Sequence, residues 1–332
     1  MTPSPPVTPP TALADIARTV DAALAALDLP AEPAGLYDPV RYVLGGGGKR
    51  VRPALVVLAA EAWGGAAGRE RALPAALAVE AFHNFTLVHD DIMDHAATRR
   101  GRPTVHERWD GPTAVLAGDL LMGLSYRLLG QTEEADAGRL LRSFSRMVAA
   151  LCEGQTLDLA FETRGDVAVD DYLDMIDRKT GALLDLSLEL GAVVGGADEP
   201  AVAEVRRAGR LLGRAFQIQD DLLDLTADGD GWGKPVGGDL VEGKKAYLAL
   251  RAVELAEGDE RAWLAQALGG GLPPGDVAEA RDRMARLGVL DDAARAVADY
   301  TARGRAALAV LPDGPAADAL RALALGLASR RV

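Results

Sequence analysis

The chain has 332 residues, of which 49% are hydrophobic and 5% aromatic, and its formal net charge is −13. This acidic balance argues against general nucleic-acid binding, because no basic surplus can neutralise a phosphate backbone, although a local basic cluster can still bind a small phosphorylated ligand. The single cysteine, Cys152, excludes an internal disulfide and fits the reducing cytoplasm. Because the sequence has no run of about 18 apolar residues and no secretory signal at its start, we expect a cytoplasmic protein without an integral membrane segment.

The predicted elements are almost all helices. Residues 1–10 include five prolines and are expected to form a disordered tail. From residue 11 onward, hydrophobic side chains recur at intervals of three and four residues, which is the spacing of a helix with a buried face, and no alternation typical of strands or hairpins is present. The sequence therefore predicts a single all-helical domain over residues 11–332. Its clearest helices are expected at 13–27, 53–63, 73–94, 114–130, 139–161, 169–195 and 201–225.

The first loop with a chemical signal is GGGGKRVRP, residues 45–53. It places Lys49, Arg50 and Arg52 at the start of a helix, where backbone amides and the helix dipole favour an anion. A nucleotide P-loop is excluded, because Val43 and Arg50 stand where that motif needs glycine and serine or threonine.

Two predicted helices end in the same acidic spacing, D-D-x-x-D. Three acids at fixed positions are expected about once by chance in a chain of this composition, so one motif alone fits the solvated end of a helix. The repeat changes this, because aspartates four residues apart share a helix face and repel each other unless a cation lies between them. Oxygen ligands of this kind suit Mg²⁺. The candidate metal ligands are Asp90, Asp91, Asp94, Asp220, Asp221 and Asp224.

In order and spacing, these motifs resemble those of the trans-isoprenyl diphosphate synthases, the polyprenyl synthetase family. The matching segments span about residues 37–250 and are GGGGKRVRP, EAFHNFTLVHDDIMD, TRRGRPTVH, AGDLL, EGQTLDL, DRKTGALL and FQIQDDLLD. The resemblance implies the isoprenoid synthase fold, a single large helical bundle around a central apolar cavity, and a homodimer. It also implies two substrates, isopentenyl diphosphate and an allylic prenyl diphosphate.

The resemblance assigns residues to each diphosphate. Those implied for isopentenyl diphosphate are Lys49, Arg52, His83 and Arg100, with Gly48 shaping the loop. Those implied for the allylic diphosphate are Arg99, Gln155, Lys179 and Thr180, with Gln217 beside the second acidic motif. Two flap lysines, Lys234 and Lys244, complete the set, although the segment KKAYL departs from the family pattern at Ala246 and Leu248.

The reaction implied is ionisation, condensation and elimination. Magnesium ions, three in number and bridged by the allylic diphosphate, are expected to assist its departure with Asp90, Asp94, Lys179, Asp220 and Lys234 as the catalytic set. The isopentenyl double bond then attacks the allylic cation, and the leaving diphosphate takes the proton, so no protein general base is needed. The glycine-rich loop at 227–243 is expected to close as a lid against water. Whether Arg330 or Arg331 takes part in closure is left open.

Product length is expected to depend on the helix before the first acidic motif. Phe85 lies five positions before Asp90, Thr86 lies one turn below it, and Phe82 lies deeper. An aromatic residue at this position is similar to the family's short-to-medium product pattern, which favours geranylgeranyl diphosphate (C20), with farnesyl diphosphate or a longer polyprenyl diphosphate as the alternative. The competing interpretation is that both phenylalanines are ordinary core residues.

Two other functions compete with a synthase. A terpene cyclase has one aspartate-rich motif, but it usually has a second metal site of another type and needs no isopentenyl site. A non-catalytic regulatory subunit of a prenyl synthase is expected to have lost one acidic motif, and neither is lost here.

Overall fold

The computed structural model describes residues 10–132, 134–227 and 236–328. The predicted all-helical fold is confirmed over these residues. The helices are α1 (Pro10–Ala25), α2 (Ala34–Leu44), α3 (Val51–Arg71), α4 (Leu73–Met93), α5 (Val105–Arg108), α6 (Gly111–Leu129), α7 (Glu134–Thr163), α8 (Val169–Ile176), α9 (Ala182–Gly195), α10 (Glu199–Thr226), α11 (Gly238–Val241), α12 (Tyr247–Leu255), α13 (Gly258–Gly270), α14 (Val277–Arg286), α15 (Val289–Ala307) and α16 (Pro315–Ala328). The expected tail falls largely on residues 1–9, which lie outside the described residues.

A short hairpin corrects the prediction that no hairpin is present. Strands β1 (Thr98–Arg99) and β2 (Arg102–Pro103) pair antiparallel, with Arg99 opposite Arg102. The turn between them has Arg100 at φ 52° and Gly101 at φ 73°, which is the left-handed pair that a tight two-residue hairpin turn requires. Strands of two residues are too short to produce a readable alternation of polar and apolar side chains.

The described residues form two compact units. The first unit contains the residues up to Phe144 together with Ser187–Ala203 and Leu311–Leu320, and the second contains Ser145–Leu186, Glu204–Val310 and the residues from Arg321 onward. The predicted single domain stays a prediction. No helix within the described ranges is both long and apolar enough to cross a membrane.

The first unit has a core of close-packed helices. Helix α4 packs against α3 and α6, and its residues from Ala75 to Phe82 are all buried. Alanine and valine supply most of this surface, so neighbouring backbones can approach closely. The first acidic motif follows this buried stretch at the end of α4. The close packing of the helix therefore fixes the backbone from which the aspartate side chains of the motif extend.

The second unit has a core of its own, formed by α8, α10, α12, α14 and α15 with the end of α7. Between α8 and α9, residues Asp177–Gly181 form one wide π-helical turn. The sequence predicts an unbroken helix over 169–195, so this break is a correction. Single π-helical turns inside helices are frequent at functional sites, and Lys179 and Thr180 lie in this one.

Candidate active site

The first acidic motif occupies the last turn of α4 in the first unit. Asp91 is buried, with 5% of its surface exposed, and accepts a hydrogen bond from Arg99 Nε at 2.7 Å. Burial raises the pKa of Asp91, and the Arg99 guanidinium opposes that rise. Asp90 is half-buried and Asp94 is exposed. The motif therefore offers Asp90 and Asp94 to a ligand, while Asp91 holds Arg99.

The hairpin connects the acidic motif to the glycine-rich loop before α3. The guanidinium of Arg100 donates to the carbonyl oxygen of Gly47. A Cβ atom at Gly48, where φ is 146°, would lie 2.9 Å from Arg100 Nη1. Only glycine fits this contact without displacing the arginine, so the geometry accounts for a glycine at position 48.

Arg52 and His83 meet beside this loop. Arg52 Nη1 lies 3.2 Å from His83 Nε2, and because a guanidinium can only donate, Nε2 accepts and the proton is assigned to Nδ1. Burial and the nearby arginines lower the pKa of His83 well below its ordinary value. The imidazole is therefore neutral at physiological pH and has one N–H to donate.

Arg50 has a different role from its basic neighbours. It adopts φ 47° at the start of α3, is 4% exposed, and points inward. Its guanidinium pairs with buried Glu80 and donates to Asp21 Oδ1 at 2.7 Å. Asn84 Nδ2 also donates to Glu80 Oε1, at 3.2 Å. Arg50 thus stabilises the loop through buried contacts. The prediction of ligand binding therefore applies to Lys49 and Arg52.

The three proposed chain-length residues lie on α4. Phe82 is fully buried, and its ring centroid lies 5.1 Å from that of Phe85. Phe85 also stacks edge-on with His89, with centroids 4.7 Å apart. Thr86 is half-buried and donates to the carbonyl oxygen of His83 at 2.9 Å. Phe82 is a core residue. Phe85 is half-buried and is therefore the better candidate for limiting the chain length of the product.

The second acidic motif lies near the end of α10 in the second unit. Asp221 is 6% exposed and Asp224 is 8% exposed, whereas Asp220 is half-buried. Asp224 Oδ2 accepts from the backbone N–H of Asp239 at 3.2 Å, and this contact ties the motif to the start of α11. Burial raises the pKa of Asp221, and hydrogen bonds from Tyr172, the Tyr247 backbone and Gln217 oppose that rise.

A cleft of about 380 Å³ opens beside this motif. It brings together the second acidic motif and most of the residues that the sequence predicts beside it, namely Lys179, Thr180, Gln217 and Lys244. The polar residues lining it are Asp158, Lys179, Thr180, Gln217, Asp220, Asp221, Asp224, Asp239, Lys244 and Lys245. Cations, carboxylates and hydroxyl or amide groups around one cavity are suited to a diphosphate with divalent metal ions.

The wide turn presents Lys179 and Thr180 to this cleft. Lys179 Nζ lies 2.5 Å from Asp158 Oδ2, and Thr180 Oγ1 donates to Gln217 Oε1 at 3.2 Å. A Cβ atom at Gly154 of α7 would lie 2.5 Å from the backbone nitrogen of Lys179. The glycine therefore gives the turn the space that it occupies.

Three comparisons with known proteins agree with this geometry. The polyprenyl synthetase family profile matches residues 33–284. The chain belongs to the polyprenyl synthetase family. It is 43% identical over 238 residues to the geranylgeranyl diphosphate synthase of Methanosarcina mazei, covering 71% of this chain and 72% of that protein. It is 37% identical over 295 residues to the short chain isoprenyl diphosphate synthase of Methanothermobacter thermautotrophicus, covering 88% and 89%.

Among solved structures, the geranylgeranyl pyrophosphate synthetase from Pyrococcus horikoshii aligns with a TM-score of 0.89 at 38% identity, over 96% of this chain and 98% of that one. The chain is therefore an enzyme of the prenyltransferase class that forms trans-prenyl diphosphates, as the motifs predicted. Divalent-metal dependence is general in this family.

The remaining predicted residues have different positions. Lys244 lines the cleft and pairs with Glu242 at 2.7 Å. Gln155 is not among the described residues that line the cleft; it is half-buried on α7, one turn before Asp158. Lys234, Arg330 and Arg331 fall outside the described residues, as do positions 228–235 of the expected lid.

Four polar residues of the cleft were missed by the sequence analysis, namely Asp158, Tyr172, Asp239 and Lys245. Asp158 was within reach, because it lies in the EGQTLDL segment one turn after Gln155. Tyr172 had no local signal beyond an apolar helix, and Asp239 falls in the glycine-rich loop at 227–243 that the sequence predicts as a lid, with Lys234 assigned to the site and Asp239 not. Tyr172 and Asp239 reach the site through long-range contacts with Asp221 and Asp224 of α10. Asp158 reaches it through its ion pair with Lys179, and periodicity reveals none of these contacts.

Proposed function

We propose that this enzyme condenses isopentenyl diphosphate with an allylic diphosphate, head to tail, to form geranylgeranyl diphosphate, and that it uses Mg²⁺. The observation that carries the proposal is the cleft in the second unit, where the second acidic motif lies beside Lys179, Thr180 and Lys244. Relatives named as geranylgeranyl diphosphate synthases support the product. We further propose that the enzyme acts as a cytoplasmic homodimer.

The metal would be held by the first and last carboxylates of each motif, Asp90 and Asp94 in the first unit and Asp220 and Asp224 in the second. Among the residues that the structure describes, no three carboxylate, imidazole or thiol side chains converge on one point. This fits Mg²⁺, which keeps several waters and binds substrate phosphates rather than a cage made only of protein ligands. When bound, three such ions would neutralise charge on the allylic diphosphate.

The protein's own groups orient both substrates. Lys179 and Arg99 hold the allylic diphosphate and stabilise the charge that develops on it as its C–O bond breaks, and Thr180 lines the same cleft as Lys179. Lys49, Arg52, Arg100 and the Nδ1–H of His83 hold isopentenyl diphosphate. The isopentenyl double bond attacks C1 of the allylic cation, a carbon–carbon bond forms, and the proton lost in the elimination passes to the released diphosphate.

The test of this proposal incubates the purified protein with labelled isopentenyl diphosphate, an allylic starter and Mg²⁺, and separates the products by chain length. We expect a C20 prenyl diphosphate. A C15 or longer main product would contradict the assigned length, hydrocarbon without elongation would indicate a cyclase, and inactivity without a partner would indicate a regulatory subunit.

The Phe85→Ala variant tests what limits the product. Removing the ring opens space beside Phe82 and His89, so we expect products longer than C20, with Phe85→Leu giving a smaller shift. The same chromatographic assay measures both variants, and an unchanged profile in Phe85→Ala would remove Phe85 as the limiting residue.

A further inference from the structure

Tyr172 on α8 has a buried hydroxyl that bonds directly to the second acidic motif. Its side chain is 2% exposed, and its Oη atom donates to Asp221 Oδ2 at 2.6 Å. A carboxylate oxygen only accepts, so the phenol is the donor in this bond.

Asp221 is the acceptor for two further donors. Gln217 Nε2 donates to Oδ1 at 3.1 Å, and the backbone N–H of Tyr247 donates to Oδ2 at 2.9 Å. Both carboxylate oxygens are thus engaged by protein groups. Asp221 serves as an anchor that joins α8, α10 and the start of α12, and it lines the cleft together with Asp220 and Asp224 of the same helix.

The network continues to the wide turn. The amide of Gln217 gives its N–H to Asp221, so its oxygen faces the Thr180 hydroxyl, which donates to it at 3.2 Å. Hydrogen bonds in such a chain restrict each member's rotamer. The Tyr172 hydroxyl therefore fixes, through Asp221 and Gln217, the orientation of a hydroxyl that lines the cleft.

We propose that Tyr172 is a positioning residue for diphosphate and metal binding in this cleft, acting through Asp221 on Gln217 and Thr180. The inference rests on the proposed function and adds a residue to it. It also gives the middle aspartate of the motif a structural role, because both of its carboxylate oxygens accept hydrogen bonds from the protein.

The test compares Tyr172→Phe with Tyr247→Phe. The first variant removes only the hydroxyl that bonds to Asp221. The second removes a hydroxyl that bonds to Asp292 at 3.2 Å from a ring whose centroid lies 6.2 Å from that of Tyr172, and it keeps the backbone N–H on Asp221. We expect the dissociation constant of inorganic diphosphate in the presence of Mg²⁺, measured by calorimetry, to rise about 10-fold in Tyr172→Phe and to stay unchanged in Tyr247→Phe.

Steady-state kinetics give a second readout. In Tyr172→Phe we expect the KM for the allylic substrate to rise and the KM for isopentenyl diphosphate to stay at the wild-type value. Each single variant, Tyr172→Phe and Thr180→Val, should raise the dissociation constant of diphosphate by some factor. In the double variant the dissociation constant should rise by less than the product of these two factors, because both changes interrupt one chain of hydrogen bonds.

Wild-type diphosphate affinity in Tyr172→Phe, equal losses in both tyrosine variants, or multiplicative losses in the double variant would overturn the proposal. A lower unfolding temperature with unchanged diphosphate affinity would also overturn it, since the hydroxyl would then serve stability alone. The calorimetric readout separates this proposal from the proposed function, because wild-type protein that binds diphosphate but does not elongate contradicts only the latter.

Discussion

His83 lies among the arginines of the first unit, and its charge state follows from that position. Burial lowers its pKa most, and Arg52, Arg100, Arg99 and Arg50 lower it further. The ordinary value is 6.5, so the unfolded chain takes up a proton near this pH whereas the folded protein does not. Stability from this residue is therefore complete above pH 6.5 and is lost as pH falls toward the folded pKa.

The His83→Gln variant should reduce this acid sensitivity. The amide oxygen of glutamine can still accept from Arg52, but it does not titrate. We expect the fall in unfolding temperature between pH 7.5 and pH 5.5 to be smaller in the variant than in the wild type, because a histidine protonated only when unfolded costs up to about 1.4 kcal/mol per pH unit. Exposed His95, replaced by asparagine, is the control, and an equal reduction in both variants would contradict the assignment.

At the same scale, Arg50 shows what the sequence could not resolve. The pattern GGGGKRVRP gives Lys49, Arg50 and Arg52 the same chemical type. The left-handed backbone of Arg50 and its buried partner Glu80 turn it inward. Glu80 lies thirty positions along the chain, so no local spacing could separate this structural cation from those available to a ligand.

Elements were predicted well where periodicity alone determines them. The predicted helix 73–94 is observed as Leu73–Met93, and 201–225 as Glu199–Thr226. The wide turn was missed because its four polar residues, 177–180, look the same in sequence as the exposed side of a regular helix. Its geometry depends on glycines of two other helices, since a Cβ atom at Gly154 would meet the Lys179 nitrogen and one at Gly213 would lie 2.8 Å from Gly181 Cα.

The Gly154→Ala variant tests this packing at the scale of the element. The added methyl must displace the backbone of the turn, so Lys179 and Thr180 should move. We expect kcat/KM for the allylic substrate to fall about 100-fold, the scale of a misplacement near 1 Å, and the unfolding free energy to fall by about 1–3 kcal/mol.

Gly138 provides the matched control on the same helix. Among the described residues, a Cβ atom there would contact the end of the Arg142 side chain alone, at 3.6 Å. Gly138→Ala should leave kcat/KM unchanged and raise stability by up to about 1 kcal/mol, because alanine favours the helix. Equal kinetics for Gly154→Ala and Gly138→Ala would show that the turn tolerates the methyl group.

On the scale of the whole molecule, the net charge of −13 opposes the binding of a diphosphate anion. Acidic side chains also line the cleft of the second unit. A divalent ion neutralises the excess of five aspartates over three lysines in this cleft, so the anion and the metal should bind together. The charge that argues against nucleic acid as a ligand is therefore compatible with a small anionic substrate when metal is present.

Thermal unfolding should report this dependence for the intact protein. With Mg²⁺ and inorganic diphosphate together at about 100 times the dissociation constant, we expect a stabilisation of about 2.7 kcal/mol. Diphosphate with a chelator, or Mg²⁺ with sulfate at the same ionic strength, should give little shift. A full shift with diphosphate and chelator would contradict metal-dependent binding, and chelation should also abolish prenyl transfer.

The wide turn at Asp177–Gly181 also limits how this sequence can vary during evolution. Gly154 and Gly213 lie far from the turn in the chain, yet each leaves open the space that its backbone fills. A lineage that replaces either glycine must also reshape the turn, and a lineage that regularises the turn no longer needs the glycines. These three distant segments are therefore expected to be inherited and lost together.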